Sequence, residues 1–239
     1  MLYYADSFNC PYGAKSQDEI IHLSEQIVEF LMSKEAKLIA VACNTATAGA
    51  IAHLRDKYEI PFVGMEPAVK PAANASISKK IGILATRGTF DGEHFQATTN
   101  KYAQEVEVHI QVGNGLVELV ESGYSVSHEA EMLVRQYLEP MLAQGVDQIV
   151  LGCTHYPFLR PLMERIVEGK ANLVDPAPAV ARQVRSRIKS LKIANGTRKV
   201  PDYQFYTSGE IRFLQQLAQS VAPLAARPRM EFWKVYEEG

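Results

Sequence analysis

The sequence predicts an α/β protein built as two facing, pseudo-symmetric α/β domains with mainly parallel sheets. Two observations carry that expectation. Short apolar runs of strand character alternate with segments of helical character, the pattern of parallel strands joined by crossover helices. In addition, one unit occurs twice. "LIAVACNTATAGAI" (Leu38–Ile51) and "QIVLGCTHYPFLRPL" (Gln148–Leu162) each read as an apolar strand, a Cys, a polar pair and then a helix. Each is followed by a second strand and an acid–proline pair, Glu66-Pro67 or Asp175-Pro176. The acid follows its Cys by 23 positions in the first copy and 22 in the second. A repeat of this kind places one cysteine at an equivalent point of each domain.

In chain order, the strand-like runs are Leu2–Ala5, Leu38–Ala42, Phe62–Met65, Ile81–Ala85, Val106–Gln111, Gln148–Gly152, Asn172–Val174 and Gln204–Tyr206. Ser16 with Glu19 has capping-box spacing, and Ile20, Leu23, Ile27 and Leu31 form the apolar stripe behind it. Ser127, with Glu131 nearby, opens a helix running to about Leu142, where Gly145 supplies a stop. Pro67 and Pro176 suit the first turn of a helix. The best loop candidate is Ser190 to Pro201, which contains Asn195-Gly196. The expected domains are 1–66 plus 178–239, carrying Cys43, and 67–177, carrying Cys153.

Composition narrows the class of function. The formal net charge of −2 gives no global field toward nucleic acid or an anionic membrane, so neither partner is expected. No apolar run approaches the ~18–20 residues of a membrane span, and no signal-peptide pattern opens the sequence. A cytoplasmic protein is expected. Its three cysteines, Cys10, Cys43 and Cys153, cannot all pair, and none forms a CxxC, so no structural metal is expected. Cys10 has no counterpart in the repeat and reads as structural.

The chemistry follows from where the two repeated thiols fall. In open α/β sheets, ligands sit beyond the carboxyl ends of strands, where the N–H groups of the next helix lower the pKa of a thiol. Cys43 and Cys153 are therefore candidate acid/base groups. Racemisation at a carbon acid needs two of them, because a single base returns the proton to the face it came from. Asn44, Thr45, Thr154 and backbone N–H groups are placed to hold a substrate carboxylate, and His155 to tune the second thiol. The plainer readings stand beside these. A Cys ending a strand is commonly a small buried hydrophobe, and a lone His is commonly a satisfied structural one. On spacing alone, Thr86 with Thr89 reads as helix capping and Glu121 as a solvated helix-end acid.

At these residues the chain resembles the glutamate racemase family, cofactor-independent members of the aspartate/glutamate racemase superfamily. The matching pieces are "PYGAKS" (Pro11–Ser16), "ACNTATA" (Ala42–Ala48), "ILATRGT" (Ile83–Thr89), "LVELVESG" (Leu116–Gly123), "LGCTHYP" (Leu151–Pro157) and "YTSGE" (Tyr206–Glu210). The resemblance implies interconversion of L- and D-glutamate, supplying D-glutamate for peptidoglycan, without pyridoxal phosphate or metal. It implies Cys43 and Cys153 as catalytic acid/bases, and Tyr12, Gly13, Asn44, Thr45, Thr154 and His155 as substrate contacts. It adds Thr86 and Thr89 as further contacts, Glu121 as an acid that assists the second thiol through His155, and a homodimer as the assembly. Family members begin with a strand leading into an Asp-Ser-Gly-x-Gly-Gly loop, whose Asp lies beside the first thiol. That motif does not occur here; the sequence opens at what resembles the family's second strand. Without that unit, the sheet carrying Cys43 is expected to expose an edge. The rival expectations are an aspartate racemase or related isomerase of the superfamily, and an acidic-amino-acid binder that has lost activity.

Overall fold

Caps and apolar periodicity set the helices. The first strand, β1 (Leu2–Ala5), leads through a 3₁₀ turn at Tyr12–Ala14 to Ser16, which caps α1 (Gln17–Ser33). Ser16 Oγ accepts from Glu19 N–H at 3.3 Å, and Glu19 Oε2 accepts from Ser16 N–H at 2.9 Å, closing a capping box. Ile20, Ser24 and Val28 then fall on one buried face, at the i, i+4, i+8 spacing that a helix aligns. The computed structural model describes residues 1–102, 105–194, 202–221 and 229–235.

The chain continues as β2 (Ile39–Val41), α2 (Asn44–Lys57), β3 (Phe62–Gly64) and α3 (Val69–Ala75). Next come β4 (Lys80–Ala85), α4 (Arg87–Phe90), α5 (Glu93–Tyr102), β5 (Glu107–Val112) and α6 (Leu116–Glu121). Ser127 Oγ accepts from Ala130 N–H at 3.1 Å to open α7 (His128–Ala143), and Gly145, at φ 82°, turns the chain away from it. Then follow β6 (Gln148–Gly152), α8 (Arg160–Val167), β7 (Asn172–Val174), α9 (Ala177–Ser190), β8 (Asp202–Thr207), α10 (Ile211–Val221) and β9 (Arg229–Lys234).

Every strand pairing is parallel, as the β–α alternation requires. Among the described residues the strands make three sheets, ordered β1-β8-β9, β2-β3 and β5-β4-β6-β7. In the last, β4 and β6 lie in the middle and are buried almost throughout, which explains their unbroken apolar runs "KIGILA" and "QIVLG". Fully buried Ile81, Ile83, Leu84, Ile149 and Leu151 pack there between helices on the two faces. Asp147 fastens the entry to this sheet: its carboxylate accepts from Ser76 Oγ at 2.7 Å, Ile77 N–H at 2.6 Å and Ser78 N–H at 2.8 Å.

The repeat is visible as two parallel pairs, β2 with β3 and β6 with β7, but the copies differ. The Cys153 strand β6 is paired on both sides, by β4 and β7. Among the described residues the Cys43 strand β2 is paired on one side only, by β3. Three local expectations are corrected. No helix follows Cys153 directly; a bend and a 3₁₀ turn at Tyr156–Leu159 come first, and α8 starts at Arg160. Pro157 and Pro161, which have no N–H to donate, sit in that delayed start. Pro67 lies two residues before α3, and Pro176 sits just ahead of α9. Strand β9 is an addition: Met230 and Phe232 point to one face at period two and pack on Phe205, whose ring stacks on Phe232 at 4.9 Å. Of the expected loop Ser190–Pro201, residues 195–201 lie outside the described residues.

Candidate active site

Cys43 ends the β2 segment and is itself the cap of α2, with φ −146° and ψ 125°. Its Sγ accepts from Ala46 N–H at 3.4 Å. The sequence leads one to expect a depressed pKa at such a helix start. The thiol goes the other way: burial pushes it up to about 11, and the N–H groups of Ala46 and Thr45 offset only part of this. The charge of Cys153 adds to the rise and that of His155 opposes it, so the two repeated thiols and the imidazole act on one another electrostatically.

The second thiol has a different setting. Cys153 is buried, and its Sγ lies 3.7 Å from His155 Nδ1. The other ring nitrogen, Nε2, lies 2.7 Å from Glu121 Oε1, at the last residue of α6. Burial on its own would push the imidazolium down, but hydrogen bonds with Cys10, Cys153 and Glu121 outweigh it, and the His155 pKa ends well above its ordinary value. Glu121 is thus not a merely solvated helix-end acid. With Nε2–H donated to Glu121, the Nδ1 side of the ring faces the thiol, and a protonated ring presents an N–H to it. Thr154, half-buried, separates Cys153 from His155 in the bend.

The groups after Cys43 form a polar cluster. Asn44 is only 3% exposed, and neither its Oδ1 nor its Nδ2 has a partner among the described residues. A buried amide left unpaired is costly unless a ligand or water completes it. Beside it, Thr45 Oγ1 lies 2.8 Å from Thr86 Oγ1 and 3.4 Å from Thr89 Oγ1, and the latter two are 3.1 Å apart. This triangle of hydroxyls ties the start of α2 to that of α4. Thr86 caps α4 by position but makes no side-chain capping bond, so the capping reading fails in favour of contacts across the site. Two glycines allow the close approach. A Cβ on Gly13 would stand 2.9 Å from Thr86 Cβ, and one on Gly88 would stand 2.8 Å from Thr45 Cγ2.

Three residues were missed. Asp6 accepts from Tyr12 Oη at 2.5 Å, Ser208 Oγ at 2.8 Å and Asn9 Nδ2 at 3.0 Å. It holds Tyr12 in place, and burial together with Asp6 pushes that phenol far up from its usual range. Ser208 also receives Phe8 N–H at 3.0 Å, and it lies within the "YTSGE" piece that carried part of the resemblance. Cys10, taken as structural, has Sγ 3.9 Å from His155 Nε2. No period or repeat in the sequence marks it. The acids of the repeat are not at the thiols: Asp175 Oδ1 accepts from Ala177 N–H at 2.8 Å, and Glu66 lines a separate cavity of about 730 Å³ beside Lys70, Pro176 and Arg187.

The two repeated thiols come from different sheets and have different surroundings: an imidazole–carboxylate pair beside Cys153, and buried amide and hydroxyl groups after Cys43. The family model described as Asp/Glu/Hydantoin racemase matches residues 2–184. The chain belongs to that family. It is 42% identical over 219 residues to the glutamate racemase of Herpetosiphon aurantiacus, covering 92% of this chain and 86% of that protein. Among solved structures it is similar to the glutamate racemase isoform RacE1 of Bacillus anthracis (TM-score 0.82, 26% identity, covering 97% of this chain and 86% of that one). It is also similar to the Escherichia coli glutamate racemase in complex with L-glutamate and the activator UDP-MurNAc-ala (TM-score 0.82, 28% identity, covering 100% and 89%).

Proposed function

We propose that the protein interconverts L- and D-glutamate by moving the α-proton between Cys153 and Cys43, supplying D-glutamate for the cell wall. Relatives named glutamate racemase support the substrate, and the E. coli structure holds L-glutamate. The observation that carries the chemistry is the unequal setting of the two thiols: Cys43 Sγ caps α2 at 3.4 Å from Ala46 N–H, whereas Cys153 Sγ lies 3.7 Å from a His155 ring that Glu121 holds from its other side. Cys43, with its pKa pushed up to about 11, is a neutral S–H at physiological pH and serves as the acid. Cys153, whose Sγ lies 3.7 Å from His155 Nδ1, serves as the base. The thiolate removes the α-proton from one face, and the S–H delivers its own proton to the other. The roles are then reversed, and the opposite enantiomer is converted by the reverse transfer. Asn44, Thr45 and the peptide N–H groups at the start of α2 hold the carboxylate as charge builds on it, and Tyr12, Gly13, Thr86, Thr89 and Thr154 complete the substrate contacts.

In this reading the domains are 1–66 plus 178–239 and 67–177, the protein is a cytoplasmic homodimer, and no metal or organic cofactor takes part in the transfer. The test is Cys43→Ser and Cys153→Ser, assayed for racemisation and for exchange of the α-proton of each enantiomer in D2O. Racemisation should fall by about 10²-fold or more in each. Full activity in either variant refutes the two-thiol mechanism. Activity on aspartate but not glutamate refutes the substrate.

A further inference from the structure

We propose that Cys10, Glu121 and His155 form a site for one thiophilic divalent cation of the Zn²⁺ class, and that its occupancy silences the acid/base pair. The three side chains come from three places: the segment after β1, the end of α6 and the bend after β6. Yet a thiol, an imidazole nitrogen and a carboxylate oxygen converge within 4.8 Å of one another, the one such convergence among the described residues. Thiolate, imidazole and carboxylate are the donor types that select Zn²⁺-like ions, and three of them leave a fourth position for water. All three residues are partly exposed, so an ion has a route in.

The geometry needs little adjustment. With bonds of about 2.3 Å to sulfur and about 2.0 Å to nitrogen and oxygen, a tetrahedral ion sets its S–N and N–O ligand pairs roughly 3.6 and 3.3 Å apart. Here Cys10 Sγ is 3.9 Å from His155 Nε2, and Nε2 is 2.7 Å from Glu121 Oε1. The sulfur moves in by a few tenths of an ångström, and the carboxylate gives up its hydrogen bond to become a ligand. Cys153 cannot take the place of Cys10 at the same ion through this ring, because its sulfur faces the other nitrogen, Nδ1. Cys10 neither takes nor gives the α-proton in the transfer proposed above.

Two consequences follow from occupancy. A ring bound through Nε2 gives up its bond to Glu121, and both side chains are committed to the ion instead of bracing the ring beside Cys153. The ion also ties the segment next to the β1-β8-β9 sheet to the sheet containing β6, across the site. The silencing rests on the racemase reading; the binding does not.

The wild-type protein, free of substrate, is titrated with Co²⁺ as a spectroscopic probe. A thiolate-to-cobalt charge-transfer band should rise and saturate at one ion per chain, vanish in Cys10→Ser and persist in Cys153→Ser. On the wild-type chain alone, Zn²⁺ should slow alkylation of Cys10 by roughly tenfold or more, read by peptide mass spectrometry. Saturating Zn²⁺ should stop racemisation reversibly to chelation, and the concentration needed should rise by about tenfold or more in Cys10→Ser. The site is overturned by absence of the band together with unprotected Cys10, or by a band that survives Cys10→Ser and disappears in Cys153→Ser. A band without inhibition overturns the silencing. Racemase activity without a band refutes the metal site alone, and a band without racemase activity refutes the proposed function alone.

Discussion

Glu121→Gln is the most informative single change, because it keeps a hydrogen-bond acceptor opposite His155 Nε2 and removes only the charge. The pair is 2.7 Å apart, with the side chains 23% and 26% exposed. A hydrogen bond to a charged partner contributes ~1.5–3 kcal/mol, and partial exposure to water argues for the lower end. At 1.36 kcal/mol per unit, the His155 pKa should fall by about one unit. Its folded value is raised, so the imidazolium is fully present at lower pH and is lost as pH rises through that value. In the variant this loss begins earlier. Cys10, Cys153 and Glu121 are the groups that face the ring, with Tyr3 and Cys43 also within electrostatic reach of the cluster. The assay is kcat/KM against pH in both directions, with the His155 ring proton followed by NMR. The alkaline limb should move down by about one unit, and the rate just below the wild-type limb should fall roughly tenfold. An unmoved alkaline limb together with an unmoved ring titration refutes the role given to Glu121.

Two further outcomes can be stated from the geometry. Asn44→Ala removes two buried polar atoms that lack partners among the described residues, so thermal stability should hold or rise, while KM rises by about tenfold or more as the substrate loses its partner. A lower melting temperature with unchanged KM refutes the assignment. Asp147→Ala should lower stability by roughly 1–3 kcal/mol at neutral pH, because three donors lose their acceptor. Burial opposes ionisation of Asp147, but the bonds from Ser76, Ser78 and Ile77 hold its pKa below the ordinary value. That contribution is present above the unfolded pKa and disappears as pH falls through the lower folded value. The difference in urea midpoint between variant and wild type should therefore shrink in strong acid, and a constant difference contradicts this account.

The strands and the repeat were legible because buried parallel strands leave unbroken apolar runs, as "KIGILA" and "QIVLG" illustrate, and because both thiols follow apolar runs, "LIAVA" and "QIVLG". Strand β9 also carried a signal, Met230 and Phe232 at period two, but charged neighbours diluted it. The direction of the Cys43 shift was not legible. A helix N-terminus is visible in sequence, whereas burial of the sulfur, which dominates here, depends on segments distant in the chain. Nor could spacing find Cys10 or Asp6. Their partners His155 and Ser208 lie 145 and 202 residues away, and only the closed fold brings them together.

The unequal bracing of the two thiol-bearing strands has a dynamic consequence. Gln148–Gly152 is clamped by a hydrogen-bonded neighbour on each flank, so its amides open only when much of that sheet opens. Among the described residues Ile39–Val41 is held on one flank, by a single short ladder whose loss opens it locally. One half of the site is thus a stiff anvil and the other a compliant jaw. Closing on a ligand costs conformational entropy mainly on the Cys43 side, and that side has the larger share of the ordering to do.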